Sequence, residues 1–302
     1  MSDVTEFPIM VKNLTRRFGK SLVVNDLSLS IPFGKMVGFI GLNGAGKTTT
    51  IRMMVGLLKP DSGEIAIAGY RVPSQRDSMK SHIGYVPDRP NVYGWMRVQE
   101  AIDFARAFYP NWNPDHCERL MKMFDLDRSQ RAKNLSKGQG AKLSLLLALS
   151  HDPEVLILDE PTSGFDPLVR EEFLQGVLAA TSERRQTVLF SSHTLADVER
   201  LADSVAILHE GRLVLHSPVD SLLDCTKRIR AVLEDVSSAR QTPPGMVFQQ
   251  VSGREWTITV EKFSRDQVEF IRSHNRVLQI EVLDVSLDDV FKDIIRGTRG
   301  AA

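Results

Sequence analysis

The chain has 302 residues, 42% of them hydrophobic and 25% charged, which is enough apolar material for a substantial core without disulfides. Its formal net charge is +0 and its pI is about 7.1, so no overall positive field attracts nucleic acid, and we expect no nucleic-acid partner. The two cysteines, Cys117 and Cys225, have neither metal-ligand nor redox spacing, which fits a reducing compartment.

Strands and helices are predicted to alternate over the first two thirds of the chain. Apolar residues alternate around turns over residues 9–31, which predicts several short strands. Residues 36–40 form a buried strand, and residues 47–58 have helical spacing. Further strands are predicted at 64–68, 83–86, 155–158 and 187–191, and further helical segments at 98–108, 114–124, 143–149 and 195–201. This order indicates an α/β fold with a largely parallel sheet.

The pattern changes after about Leu223. Strand-like stretches lie at 229–233, 246–251 and 256–260, followed by a helix at 265–273 and a strand at 277–282. Ser286 then resembles the cap of a final helix over 290–295. The sequence therefore predicts a main domain over residues 1–225 and a small α+β accessory domain over residues 226–302.

The sequence carries no pattern expected of a secreted or membrane-spanning chain. Residues 1–10 lack a basic start followed by an apolar run, so we expect no secretory signal. The longest apolar run, residues 143–149, is far shorter than the roughly 20 residues that cross a bilayer. We therefore expect any membrane association to depend on a second protein.

A phosphate-binding pattern follows the strand predicted at 36–40. Residues 41–48 match G-x-x-x-x-G-K-[ST], between a predicted strand and a predicted helix. The glycines let the backbone wrap around phosphate oxygens, while Lys47 reaches the β- and γ-phosphates and Thr48 ligates Mg²⁺. The alternative is a glycine-rich turn that matches by chance. The predicted nucleotide-binding residues are Gly41, Leu42, Asn43, Gly44, Ala45, Gly46, Lys47, Thr48 and Thr49.

Two adjacent carboxylates end the apolar run at 155–158. We assign Asp159 to hold Mg²⁺ through water, and Glu160 to polarise the attacking water as general base. Without the upstream phosphate-binding pattern, two solvated acids capping a strand would be the better interpretation.

Four further elements, in this order along the chain, point to a family. Phe18 precedes the phosphate loop, residues 135–139 read Leu-Ser-Lys-Gly-Gln, residues 163–166 read Ser-Gly-Phe-Asp, and His193 follows a predicted strand. Over roughly residues 9–223 the chain resembles the nucleotide-binding domains of ATP-binding cassette (ABC) transporters. This resemblance implies a P-loop cassette with a mixed sheet core, an N-terminal antiparallel β subdomain and a helical subdomain. It also implies ATP and Mg²⁺ as cofactors.

The resemblance assigns the remaining roles. Leu135, Ser136, Lys137, Gly138 and Gln139 form the signature that contacts the ATP held by a second cassette, in a homodimer or heterodimer. The start of a helix there presents N–H groups and a hydroxyl to an anion. His193 contacts the γ-phosphate and joins Lys47 and Glu160 in the catalytic set, the alternative being a core histidine. Phe18 stacks on adenine, the alternative being an apolar core residue.

Three residues depart from the commonest form of these motifs. Asp88 stands where the family usually has a glutamine that contacts Mg²⁺ or the lytic water. A shorter carboxylate favours a bridging water, and a turn cap is the alternative. Lys137 replaces a glycine of the signature and points either at the γ-phosphate or at solvent. Phe165 replaces a leucine and is assigned to packing.

The tail around residues 285–291 is similar to the C-terminal extension of bacterial ATPases that pair with ABC-2-type, usually exporting, permeases, and the subgroup resembles the YtrB-like ATPases. The resemblance implies an ATP-hydrolysing subunit, peripheral on the cytoplasmic face of the cell membrane, that drives a separate transmembrane permease. Residues 93–100 are the expected docking region, although Tyr93 and Trp95 fit a core role equally well. The alternatives are a soluble, ribosome- or DNA-associated ABC ATPase and a regulatory module without turnover.

Overall fold

A computed structural model describes residues 6–89, 92–182, 185–235 and 240–300. It divides the chain into two compact units, Met1–His216 and Ser217–Ala302. The strands are β1 (Ile9–Phe18), β2 (Ser21–Ile31), β3 (Met36–Gly41), β4 (Ser62–Ile67), β5 (Tyr70–Val72), β6 (Ile83–Val86), β7 (Val155–Leu158), β8 (Thr187–Ser192), β9 (Ser204–His209), β10 (Arg212–Pro218), β11 (Lys227–Leu233), β12 (Met246–Ser252), β13 (Glu255–Val260) and β14 (Val277–Asp284). The helices are α1 (Lys47–Met54), α2 (Arg76–Met79), α3 (Val98–Arg106), α4 (Pro114–Met123), α5 (Lys137–Leu149), α6 (Pro167–Ser182), α7 (Leu195–Leu201), α8 (Val219–Cys225), α9 (Arg265–His274) and α10 (Leu287–Gly300).

The main sheet of the first unit has the order β10-β9-β3-β8-β7-β6. Strand β3 pairs in parallel with β8 and β9, and β7 pairs in parallel with β6 and β8. Strands β3, β7 and β8 are buried along their whole length, which explains the apolar runs of β3 and β7 and the apolar centre of β8. Because the strands are parallel, the segments that follow β3, β6, β7 and β8 meet at one edge of the sheet. The predicted α/β fold is confirmed.

A second sheet has the order β2-β1-β4-β5 with antiparallel pairing. The prediction of several short strands over residues 9–31 is wrong, since two strands of 10 and 11 residues occupy this segment. Asn13 and Asp26, whose residue types are typical of turns, have positive φ angles of 49° and 54° and lie where the register of the two strands shifts. They form bulges that bend the strands without reversing them, and the reversal occurs at Gly19.

Several helices of the first unit differ from the predictions; α5, for example, begins at Lys137 and not at residue 143. Helix α1 ends at Met54, earlier than the predicted 47–58, because Gly56 adopts φ 72° and terminates it. Helix α6 was not predicted. Its buried side chains recur at helical spacing over residues 173–181, but apolar residues outside this face, such as the exposed Leu168, obscure the pattern. Among the described residues, no helix is long and apolar enough to span a bilayer.

The second unit is an α+β structure built on a four-stranded antiparallel sheet of order β12-β13-β11-β14. One core cluster combines Trp256 and Ile258 of β13 with Ile229 of β11 and Ile271 of α9, all of them fully buried. Helix α8 also falls in this unit, whereas the sequence boundary was placed after it, at residue 225.

We expect His151 to make the first unit sensitive to acid. It is fully buried, its ring stacks on Tyr109 with centroids 3.9 Å apart, and its Nε2 lies 2.9 Å from the carbonyl oxygen of Ile83. Burial lowers the pKa of His151 below its ordinary value of 6.5. At pH values between the folded-state pKa and 6.5, the unfolded chain therefore binds a proton that the folded chain does not. This contribution lowers the free energy of unfolding as the pH falls below 6.5.

We expect His151→Phe to weaken this acid sensitivity while lowering stability at neutral pH by about 1 kcal/mol through loss of the hydrogen bond. The measurement is the thermal unfolding midpoint at about pH 7.5 and about pH 5.5, between which His titrates. The exposed His274 of α9 provides the control, because His274→Phe leaves the wild-type pH dependence in place. An unchanged acid-induced drop in His151→Phe contradicts the assignment.

Candidate active site

The phosphate loop connects β3 to α1 and contains positions at which only glycine fits. A Cβ atom on Gly41 would lie 2.5 Å from the carbonyl oxygen of Leu208, and one on Gly46 would lie 2.6 Å from that of Val23. Gly46 also adopts φ 104°, a conformation that other residues rarely reach. The loop therefore packs closely against neighbouring backbone, and the N-terminus of α1 opens onto it.

Lys47 is almost completely buried at the start of α1. Its ammonium donates to the carbonyl oxygen of Gly41 at 2.8 Å and lies 3.3 Å from Oε1 of Glu160. The phosphate loop and the acidic pair are therefore adjacent in space although more than a hundred positions separate them in sequence. The ammonium is positioned to exchange these partners for phosphate oxygens.

Asp159 is fully buried at the end of β7. Its Oδ1 accepts hydrogen bonds from the hydroxyls of Thr48 at 3.1 Å and Ser191 at 2.9 Å, whereas its Oδ2 has no partner. Burial raises the pKa of Asp159, although these two hydrogen bonds act in the opposite direction. A buried carboxylate oxygen without a donor, beside a threonine hydroxyl, provides a donor set suited to a hard divalent cation.

The resident metal would have few protein ligands. Among the residues that the structure describes, no group of three or more His, Cys, Asp or Glu side chains is arranged to hold a metal ion. Mg²⁺ usually keeps several waters and binds one or two carboxylates together with substrate phosphates. Thr48 and Asp159 fit this mode of binding.

Glu160 leaves the sheet in a left-handed conformation, with φ 48°. Its backbone N–H donates to Oγ of Ser191 at 2.8 Å, and Nδ1 of His193 lies 2.5 Å from its Oε2. The two carboxylate oxygens therefore face Lys47 on one side and His193 on the other. Strained backbone positions are often found at functional sites, and here the turn directs the carboxylate into the site.

Ser191 is a site residue that the sequence analysis missed. Its hydroxyl donates to Asp159 and accepts from the backbone of Glu160, so it fixes both members of the acidic pair. The detectable signal was the Ser191-Ser192-His193 sequence at the end of β8, next to the strand that carries the acids.

The signature lies at the start of α5. Ser136 caps this helix by accepting from the backbone N–H of Gln139 at 3.2 Å, and Gln139 accepts in return from Ser136 at 3.0 Å. Ser136 is exposed, whereas Gly138 is buried with Val169 so close that a Cβ would lie 2.5 Å from it. Among the described residues, no hydrogen bond joins the signature to residues 41–49 of the same chain.

Phe18 and Asp88 lie at the periphery. Phe18 ends β1 with 47% of its surface exposed, and the guanidinium of Arg16 lies 4.9 Å from its ring centre. The core alternative for Phe18 is therefore wrong. Asp88 is exposed just beyond β6, and its charge contributes to the raised pKa of Asp159 and to that of Tyr85, which burial raises to about 12.

Residues 24–163 match the family model described as "ABC transporter". The Nod factor export ATP-binding protein I of Burkholderia lata is 37% identical over 230 residues, covering 72% of this chain and 74% of that protein. The bacitracin transport ATP-binding protein BcrA of Bacillus licheniformis is 31% identical over 96% of this chain and 97% of that protein. The chain belongs to the ABC transporter ATP-binding family. It is an ATP-binding and ATP-hydrolysing subunit of a transporter, and the soluble alternative is not favoured.

Further comparisons of sequence and of structure support this family. The ABC transporter ATP-binding protein YtrB of Bacillus subtilis is 28% identical over 94% of this chain and 96% of that protein, which confirms the predicted resemblance to YtrB-like ATPases. The structure of an ATP-binding subunit of an ABC transporter has a TM-score of 0.63 and 32% identity, covering 70% of this chain and 90% of its own. A dimeric bacterial cassette with 21% identity and a TM-score of 0.63 has the same fold.

Proposed function

We propose that this chain binds Mg-ATP on residues 41–49, hydrolyses it with Glu160 as general base, and drives a separate permease by ATP-dependent dimer closure. The observation that carries the proposal is the convergence of Lys47, Thr48 and the acidic pair at one edge of the sheet. Lys47 then contacts the β- and γ-phosphates, while Thr48 and Asp159 hold Mg²⁺. The metal supplies charge neutralisation on the phosphates.

The proposed proton transfer uses Glu160 and His193. The Glu160 carboxylate accepts a proton from the water that attacks the γ-phosphorus, and the bond to the β-phosphate oxygen breaks to give ADP and phosphate. The 2.5 Å contact with Nδ1 of His193 holds the carboxylate, and the other ring nitrogen is then free for the γ-phosphate. Phe18 supplies an exposed aromatic face for adenine. Asp88 would serve Mg²⁺ or the lytic water through a bridging water.

The proposed closed state is a dimer in which each signature contacts the nucleotide of the other subunit. The exposed Ser136 hydroxyl and the N-terminal turn of α5 support this arrangement, because they present hydrogen-bond donors to an anion and are not joined to the chain's own phosphate loop. The γ-phosphate favours the closed dimer by contacts that only this state makes, and hydrolysis removes them. Both a homodimer and a heterodimer satisfy this geometry.

The proposed permease-docking surface is an aromatic patch formed by Tyr93, Trp95, Phe104 and Phe108. Tyr93 and Trp95 are 57% and 65% exposed and stack with ring centroids 5.8 Å apart, so they are not core residues. Exposed aromatic clusters are typical of protein interfaces. A cavity of about 380 Å³, lined in part by Tyr85, Ala105 and Tyr109, opens next to the patch and offers room for a partner segment.

The proposed location of the chain is the inner face of the cell membrane, because the proposed permease would hold it there. The name of one relative includes Nod factor export, which supports an exporting permease, and that of another includes bacitracin transport.

A photoactivatable phenylalanine analogue placed at Trp95 should crosslink to a membrane-spanning protein in intact cells, because aromatic side chains dominate interface contacts. The same analogue at the exposed Arg71 of β5 is the matched control and should give no such adduct. Adducts are identified by mass spectrometry, and the captured protein should stimulate the ATPase activity of the chain. Equal capture from both positions contradicts the proposed surface.

A further inference from the structure

The three departures from the family motifs line one small cavity. Asp88, Lys137 and Phe165 come from three separate segments of the sequence, yet they surround a space of about 10 Å³, which is room for about one water. The remaining lining residues are Val86, Pro87, Ala141, Pro161 and Ser163. The departures are therefore one spatial cluster and not three independent replacements.

Lys137 is exposed, and its ammonium also contacts the segment 163–166 of the same chain. Its ammonium donates a hydrogen bond to the carbonyl oxygen of Ser163 and lies 5.9 Å from the centre of the Phe165 ring. Gly164 lies between these two residues with φ 69°, and a Cβ atom there would be 2.6 Å from the ammonium. The lysine thus contacts the segment 163–166 through its ammonium, and a glycine at position 137 has no atoms to make these contacts.

The same segment leads directly to the general base. The backbone N–H of Ser163 donates to the carbonyl oxygen of Glu160 at 3.1 Å. On the other side, Lys137 follows the exposed Ser136 and is the first residue of α5. An unbroken series of contacts therefore connects Ser136, which faces a partner's nucleotide in the closed dimer, with Glu160, which acts on the chain's own nucleotide.

We propose that Lys137 is a positioning residue that couples the two nucleotide sites of the dimer, a role that rests on the proposed function. Contact between Ser136 and the partner-bound nucleotide fixes the start of α5, and Lys137 carries this constraint to Ser163 and hence to Glu160. Closure of the dimer excludes water from the ammonium–carbonyl hydrogen bond and strengthens it. The ring of Phe165 adds a second contact to the same cation.

The test compares Lys137→Met, which keeps the length of the side chain, with Lys137→Arg, which keeps its charge and donors. We expect Lys137→Met to lower kcat about tenfold, equivalent to about 1.4 kcal/mol, and to lower the Hill coefficient for ATP towards 1. Lys137→Arg should retain kcat within about threefold. Binding of a fluorescent ATP analogue with Mg²⁺ to the monomeric protein, in which no signature contacts a second nucleotide, should change less than about twofold in both variants, because residues 41–49 are untouched.

A double-mutant cycle with Phe165→Leu tests whether the two replacements act together. We expect the variant carrying both Lys137→Met and Phe165→Leu to be no slower than Lys137→Met alone, since contacting residues are not additive. Thermal unfolding midpoints of all variants establish that each is folded.

The proposal is overturned if Lys137→Met keeps the wild-type kcat and Hill coefficient, if Lys137→Arg is as impaired as Lys137→Met, or if the double-mutant effects multiply. Failure of the proposed function gives a different result. In that case the wild-type chain shows no Mg-ATP turnover, or Glu160→Gln hydrolyses ATP at the wild-type rate.

Discussion

Glu160→Gln should reduce ATP turnover by the purified chain by about 100-fold or more while leaving Mg-ATP binding in place. The amide cannot accept the proton of the attacking water, but it occupies the same volume between Lys47 and His193. Because the γ-phosphate then persists, the variant should accumulate as an ATP-bound dimer. The measurements are steady-state phosphate release and the dimer fraction in size-exclusion chromatography with and without Mg-ATP.

The matched control for this variant lies at the other end of the same strand. Glu154 precedes β7 and pairs with His82 at 2.7 Å. Glu154→Gln therefore makes the same chemical change at the end of β7 that is away from the active site. We expect it to retain wild-type turnover. Unchanged hydrolysis in Glu160→Gln rejects the assignment of the base, and loss of ATP binding in the same variant assigns Glu160 a binding role instead.

Asp159→Asn should combine loss of activity with a gain in stability. Turnover should fall about 100-fold or more because the neutral amide no longer stabilises the Mg-ATP complex. The nucleotide-free protein, however, no longer buries a carboxylate whose Oδ2 has no donor. We therefore expect the thermal unfolding midpoint of the first unit to rise by about 2–4 °C, the shift that about 1 kcal/mol produces in a domain of roughly 200 residues.

The control for this combination of lower activity and higher stability is Asp203→Asn, a change at an aspartate whose two carboxylate oxygens both accept hydrogen bonds. Asp203 is exposed and accepts from Lys35 at 2.9 Å and from the backbone of Met36 at 2.8 Å. Its substitution should leave turnover unchanged and should not raise the unfolding midpoint. If Asp159→Asn lowers the midpoint as well as the activity, Asp159 contributes to stability and is not held at the expense of stability for function.

Much of the active site was predictable because each of its parts is a local pattern. The glycine-rich loop matches a spacing of a few residues, and the apolar run that becomes β7 has the predicted bounds, 155–158, and ends at the acidic pair. Helix α7 also has its predicted bounds, 195–201. Parallel strands bring such segments to one edge of a sheet, so their proximity follows once the fold class is known.

Contacts between segments distant in sequence could not be predicted in this way. The sequence identified Lys137 and Phe165 as departures and left the lysine with two possible directions, whereas packing placed it on the carbonyl oxygen of Ser163. Ser191 was missed for a related reason, because its importance lies in the donor and acceptor that β7 presents to it. Local propensity and spacing specify which elements form, but the pairing of polar atoms depends on how those elements pack.

The amino-acid sequence by itself determined the family, the phosphate loop and the acidic pair, because each requires particular residue types at short, fixed separations. Only the tertiary structure decided that Ser191 fixes both acids, that Asp159 carries an unsatisfied oxygen, and that the three motif departures share one cavity. The physical reason is that burial and hydrogen-bond partnership belong to pairs of groups, and a single residue type does not encode its partner.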